Sequence, residues 1–190
     1  MRPFPTLRNV FLVGLGHKAR HGKDTAAAAI CAAFGAEAYR IGFADAVRAV
    51  CRVNHEMTEK DAALLQQVGV GRRQTDPDIW VRAVAWAVHD WSVDRNYRPG
   101  VVVVPDVRFP NEAQWIRENH GLLVCITRYA PDGVPFVTGD RPATHISETA
   151  LTGSDFHLRV DNLHGRPEVM QQRLVQLVQR HYWAWAESFT

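Results

Sequence analysis

The chain has 190 residues, 46% of them hydrophobic and 22% charged, the profile of a soluble globular protein large enough for one sizeable core. A formal charge of +2 is too mild to argue for nucleic acid or a membrane surface as the main partner. No apolar run is long enough to span a bilayer, and the short apolar stretch after Arg2 and Arg8 lacks the length and cleavage site of a secretory signal. Cys31, Cys51 and Cys125 are widely spaced and read as reduced thiols of a cytoplasmic protein.

Val10 to Leu15 reads as a buried strand, apolar and rich in β-branched and aromatic residues, ended by glycines. Lys23 to Phe34 reads as an alanine-rich helix closed by Gly35. Residues 39–45 suggest a short second strand, and Thr58 to Gln67 a helix. "TDPDIW" at 75–80 predicts a helix start with Pro77 in the first turn, and Trp80, Val84, Ala87, Val88 and Trp91 then share a face. Val101 to Val104 is the clearest strand. A helix opens at Pro110 and stops at Gly121, and Leu122 to Ile126 forms the next strand.

Residues 129–144, rich in Pro, Gly and Asp, predict a loop, part of a lid-like region reaching about residue 146. Leu158 to Val160 suggests a last strand, and Pro167 begins a final helix with Met170, Leu174, Leu177 and Val178 on one side. Its aromatic end, "HYWAWAESF", is either a packed helix terminus or a homodimer contact. Apolar strands alternating with helices predict an α/β three-layer sandwich: a mostly parallel sheet of about five strands with helices on both faces, in one domain.

The chemistry sits at "GLGHKARHGKDTAA", residues 14–27. A strand, a cationic glycine loop and a helix in that order make a phosphate cradle of the P-loop type. Lys18, Ala19, Arg20, His21, Gly22, Lys23, Asp24 and Thr25 would line it. Lys23 would reach the β- and γ-phosphates, Gly22 would bring the backbone close, and Thr25 would offer a hydroxyl. Lys18 and Arg20 would either touch phosphates or point into water. His17 stands where the first motif glycine is usual, and Asp24 where the Mg²⁺-binding Ser or Thr is usual. Asp24 is a candidate Mg²⁺ ligand, or a carboxylate placed only for the helix dipole.

This segment resembles the P-loop of the deoxynucleoside monophosphate kinases of bacteriophages. "GFADAVR" (42–48), "LLQQVGVGRRQTDPDIWV" (64–81), "PDVRFPNEAQWIRE" (105–118), "ITR" (126–128) and "HISETAL" (145–151) extend the resemblance over most of the chain. It implies a P-loop NTPase fold, ATP and Mg²⁺ as cofactors, and a small nucleotide as substrate.

Phosphoryl transfer is mostly positioning and charge neutralisation, so arginines should converge on the cradle. Arg108 and Asp106 follow a strand at the carboxyl edge, where open α/β sheets bind ligands. Asp106 is a candidate for Mg²⁺ or for orienting the acceptor, or else pairs with Arg108 as a cap of the "FPNEA" helix. Arg72, read in a glycine-flanked turn, would grip the monophosphate; Arg73 is the weaker candidate. Asp45, which the resemblance puts on the acceptor side, and Arg48 either serve that acceptor or only pair with each other. Gln67 and Trp80 would contact a base, with a core role as the alternative for Trp80. Arg128 precedes the loop; Arg141, His145 and Glu148 follow it, His145 and Glu148 as lid residues, a helix cap or both. An acceptor phosphate is already an oxyanion near neutral pH, so no side-chain base is required.

Two other readings keep the cradle. A P-loop kinase of a hydroxymethylated pyrimidine base would act on DNA, with Asp106 as the base for a hydroxyl acceptor. A nucleotide-dependent binding module would hydrolyse slowly, and the absence of an Asn-Lys-x-Asp segment disfavours a GTP switch.

Overall fold

The protein is described here by a computed structural model covering residues 3–16, 18–137 and 146–188, without the side chains of Ser147, Glu148 and Ser154. Five strands form one sheet: β1 (Val10–Gly16), β2 (Ala38–Arg40), β3 (Gly100–Val104), β4 (Leu122–Arg128) and β5 (Leu158–Asn162). Among the described residues, seven α-helices accompany them: α1 (Lys23–Phe34), α2 (Phe43–Asn54), α3 (Ala62–Thr75), α4 (Ile79–Asp94), α5 (Pro110–Glu118), α6 (Ile146–Thr149) and α7 (Pro167–Glu187). The strand order is β2-β3-β1-β4-β5, and every ladder is parallel.

The apolar strands are two-sided because each face carries its own core. Phe11, Val13 and Leu15 of β1, with Val101, Val103, Val124 and Ile126, pack under Ala26, Ala27 and Ile30 of α1 and Met170, Leu174 and Val178 of α7. The alternate residues Leu12, Val102, Val104, Leu123 and Cys125 meet α2, α4 and α5 on the other face, through Phe43, Val47, Val84, Val88 and Ile116. This period of two divides each strand between the layers, and the three-layer α/β sandwich expected from the sequence is what forms.

Several boundaries differ from the sequence expectation. The second strand ends at Arg40, and residues 43–45 already belong to α2. The third helix runs from Ala62 through "GVGRRQT" to Thr75, so Arg72 lies in the last turn of a helix and not in a glycine turn. Asp61 fixes its start by accepting from Leu64 N at 2.9 Å. Pro77 precedes α4, whose N-cap is Asp78. Asn111 Nδ2 donates to Pro77 O and to Asp78 Oδ1, both at 2.9 Å, and pins that turn. At the far end of α7, Tyr182 packs against Phe11, Phe34 and Trp185. The three cysteines are free thiols. Among the described residues, no helix is long and apolar enough to cross a membrane.

Candidate active site

The chain order turns at β1: β3 lies on one side of it and β4 on the other. Loops leaving their carboxyl ends therefore diverge and open a crevice. Val107 N donates to Leu15 O at 3.1 Å, so the β3–α5 loop is held against the end of β1. Gly16 has no room for a side chain, because a Cβ there would lie 2.3 Å from the Phe156 ring.

Residues 18–22 curl over this edge; His17 lies outside the described residues. Arg20 (φ 58°) and Gly22 (φ 97°) are both left-handed, a pattern that turns successive peptide N–H groups toward one concave side. At Gly22 this conformation favours glycine, and a Cβ would stand 2.6 Å from Asn162 Nδ2. Gly22 is the N-cap of α1, and no side chain caps that end. The first intrahelical bond is Ala26 N to Gly22 O, at 2.9 Å, so the amides of residues 23–25 sit at the mouth of the helix. Lys23 is only 7% exposed, and its Nζ donates across the loop to Lys18 O. Asp24 and Thr25 are exposed in the same turn, beside the half-buried Lys18 and Ala19.

Two residues that the motif did not indicate hold this loop. Asn162, at the end of β5, donates from Nδ2 to His21 O at 3.1 Å. His21, 2% exposed, turns its ring inward to Ile126 O, Phe136 O and Arg128 N. Burial holds its pKa below the ordinary histidine value. Arg128 stands beside this loop: its Nη1 reaches Arg20 O at 3.5 Å, and its guanidinium lies 4.5 Å from the Phe136 ring centroid.

Opposite the cradle, charged side chains form a chain of ion pairs. Arg40, at the end of β2, bonds Asp24 Oδ1 at 2.6 Å and lies 3.6 Å from Asp45 Oδ2. Asp45 Oδ2 also accepts from Gly42 N at 2.7 Å, and Asp45 Oδ1 pairs with Arg48. Asp45 and Arg48 therefore do pair with each other, and Asp45 also caps α2. The sequence reading did not consider Arg40, although it ends a strand at the ligand edge.

Asp106 has a structural role as well as its place at the strand end. Its Oδ1 accepts from Phe43 N at 2.9 Å and its Oδ2 from Ala44 N at 2.8 Å, so both oxygens cap α2. Its pKa is raised, chiefly by burial, while the two amide bonds oppose that rise. The "FPNEA" helix, α5, is capped instead by Glu112: Oε2 accepts from Arg108 N at 2.7 Å and from Phe109 N at 3.0 Å. Glu112 Oε1 bonds Arg73 Nη2 at 3.0 Å, and Arg73 lies 4.5 Å over the Phe109 ring. Thus Arg73, not Arg72, turns inward from α3; Arg72 is exposed. Proline at the first helical position with Glu at the third is the sequence signal that points to Glu112 as this cap. Burial first, then the Asp106 charge, lifts the Glu112 pKa to about 7.

Trp80 is likewise a core residue and not a base platform. It is 2% exposed, and its indole N–H donates to Gly69 O at 3.0 Å. Gln67 is exposed in a shallow groove on α3 with Gln66, Val70 and Gln74. Arg108 is half-buried beside Asp106, whose pKa its charge lowers. Arg141 and His145 lie outside the described residues, as does the Glu148 side chain.

Mg²⁺ on a nucleotide usually takes one or two protein carboxylates and keeps waters and phosphates as its other ligands. Asp24, with its side chain 84% exposed at the cradle mouth and paired with Arg40, fits that role, whereas both Asp106 oxygens already accept amides of α2. No group of three or more potential metal ligands occurs among the described residues.

No protein-family model matches the sequence, and a search of curated proteins finds no match. Among solved structures, the chain is similar to one from Chloroflexus aurantiacus J-10-fl described as a "putative kinase". The two share 11% identity over 94% of this chain and 99% of the other, with a TM-score of 0.50. At that identity the likeness establishes a shared α/β fold.

Proposed function

We propose that the protein is an ATP- and Mg²⁺-dependent kinase that moves the γ-phosphoryl group of ATP to a deoxynucleoside 5′-monophosphate. One observation carries this reading. An uncapped helix mouth behind a left-handed glycine holds a buried lysine at the carboxyl edge of a parallel sheet. Carboxylates take the first amides of α2 and α3 and the N-cap amide of α5, whereas α7, like α1, has no side-chain cap. At α1 an anion would take that place, favoured by the helix dipole and the Lys23 charge.

Around it the groups suit charge neutralisation. Arg128 stands on the β4 side, and Arg40, Arg48 and Arg108 stand on the β2–β3 side. An incoming phosphate would compete with Asp24 and Asp45 for Arg40 and Arg48, releasing Asp24 toward a metal. The similarity to the described kinase supports phosphoryl transfer in general; the choice of a dNMP acceptor rests on the sequence resemblance.

The test supplies ATP·Mg²⁺ with a panel of dNMPs and, separately, with hydroxymethylated DNA. Transfer to free dNMP is expected, and Lys23→Ala should lower it by at least 100-fold while the circular dichroism spectrum stays unchanged. Transfer to DNA alone, or hydrolysis with no acceptor, would overturn the reading.

A further inference from the structure

His21 has more neighbours than a motif filler needs. Its ring nitrogens face three backbone groups: Nδ1 lies 3.1 Å from Ile126 O and 3.2 Å from Arg128 N, and Nε2 lies 3.0 Å from Phe136 O. Residues 129–136 fold back on themselves as an arm. Tyr129 bridges Pro135, Ala130 N donates to Val134 O at 2.8 Å, and Phe136 N donates to Arg128 O at 2.8 Å. The returning limb of this arm is thereby docked on the end of β4, with the Phe136 ring edge-on to His21 and beneath the Arg128 guanidinium.

We propose that His21 is a positioning residue that couples the cradle to the Tyr129–Val137 arm, so that nucleotide binding and arm docking reinforce each other. The inference rests on the nucleotide reading above. A neutral imidazole has one proton and one acceptor nitrogen. With the proton on Nε2, the ring donates to Phe136 O and accepts from Arg128 N–H, tying the arm to β4 through itself. Its own carbonyl is fixed by Asn162, and the next two residues are Gly22 and Lys23. Displacing the arm removes the Nε2 partner of a buried ring, and the ring cannot move far without turning the peptide that aims the Lys23 amide. Coupling of this kind is reciprocal: the factor by which nucleotide favours the docked arm is the factor by which the docked arm tightens nucleotide.

Protonation provides an independent handle. A second ring proton on Nδ1 meets the Arg128 N–H and favours Ile126 O instead, exchanging the contacts that define the docked state. Burial is the main opposition to that second proton, and the Lys23 and Lys18 charges add to it, against the backbone carbonyls of Phe136 and Ile126 that favour it. The neutral ring therefore belongs to the docked state, and docking weakens as pH falls below about 6.5, the ordinary histidine value.

The experiment measures ATP binding by calorimetry between pH 5.5 and 8, and chymotryptic cleavage after Tyr129 and Phe136 with and without ATP. In the wild type, ATP should slow cleavage of the arm, and affinity should fall on acidification. His21→Ala should weaken ATP about tenfold, as loss of two buried hydrogen bonds implies, and should abolish ATP protection of the arm. His21→Gln keeps a donor for Phe136 O without a titrating group. It should retain part of the protection and lose the acid-side fall in affinity, and it decides the matter if His21→Ala does not fold. A wild type that binds no ATP refutes the nucleotide reading and this coupling with it. A wild type that binds ATP while the variants keep its affinity, protection and pH profile refutes the coupling alone.

Discussion

Glu112 gives the sharpest quantitative test of how the site is held. Its carboxylate is 2% exposed, caps α5 through two amides and pairs with Arg73. Even so, its pKa rises from 4.5 to about 7, because burial and the neighbouring Asp106 charge outweigh those bonds. A rise of that size means the folded state disfavours the ionised form by about 3 kcal/mol. Between pH 4.5 and 7 the folded protein binds more protons at this site than the unfolded chain does. Stability contributed here is therefore complete below pH 4.5 and falls as pH rises toward 7. Glu112→Gln keeps an oxygen for the Arg108 and Phe109 amides and removes the titration. Urea unfolding of both proteins at intervals from pH 4.5 to 8 isolates the effect, since Asp106 is present in each. The variant should gain about 3 kcal/mol relative to the wild type across that range, whatever its offset at low pH from the altered Arg73 contact. Parallel curves would show that the two amides and Arg73 keep the carboxylate ionised throughout, and the account of this buried acid would be wrong.

Two further substitutions probe the same frame. Trp80→Phe removes the donor to Gly69 O but keeps an aromatic core residue; it should cost about 1–2 kcal/mol in denaturant unfolding and leave KM for the acceptor unchanged, whereas a base platform would show the reverse. Gly22→Ala forces a Cβ into a left-handed residue 2.6 Å from Asn162 Nδ2; it should weaken ATP binding at least tenfold by calorimetry, roughly the consequence of about 1–2 kcal/mol of backbone strain at the cradle.

Local pattern carried the architecture because local pattern causes it. The strands alternate between two cores, so they read as continuous apolar runs, and α1 begins at Lys23 and ends before Gly35 as its punctuation implies. The site was legible in position and not in role. Asp106 follows β3 at the carboxyl edge of the sheet, and its partners are the amides of Phe43 and Ala44, more than sixty residues earlier. No spacing within "PDVRFPNEA" reveals that another helix ends there. Arg72 and Arg73 differ for a geometric reason: reading "GVGRRQ" as a turn left their directions open, whereas a helix rotates neighbours by about 100°, sending one to Glu112 and the other to solvent. Arg40 and Asn162 were missed because each is an ordinary polar residue at a strand end, made significant only by the strand order, which sets β2 and β5 at opposite margins of the sheet. Such residues become visible once topology is known, and topology is what short-range sequence pattern constrains least. The same reasoning explains why the cradle itself was legible: its loop, cap and lysine are contiguous, so the chain needs no distant partner to declare them.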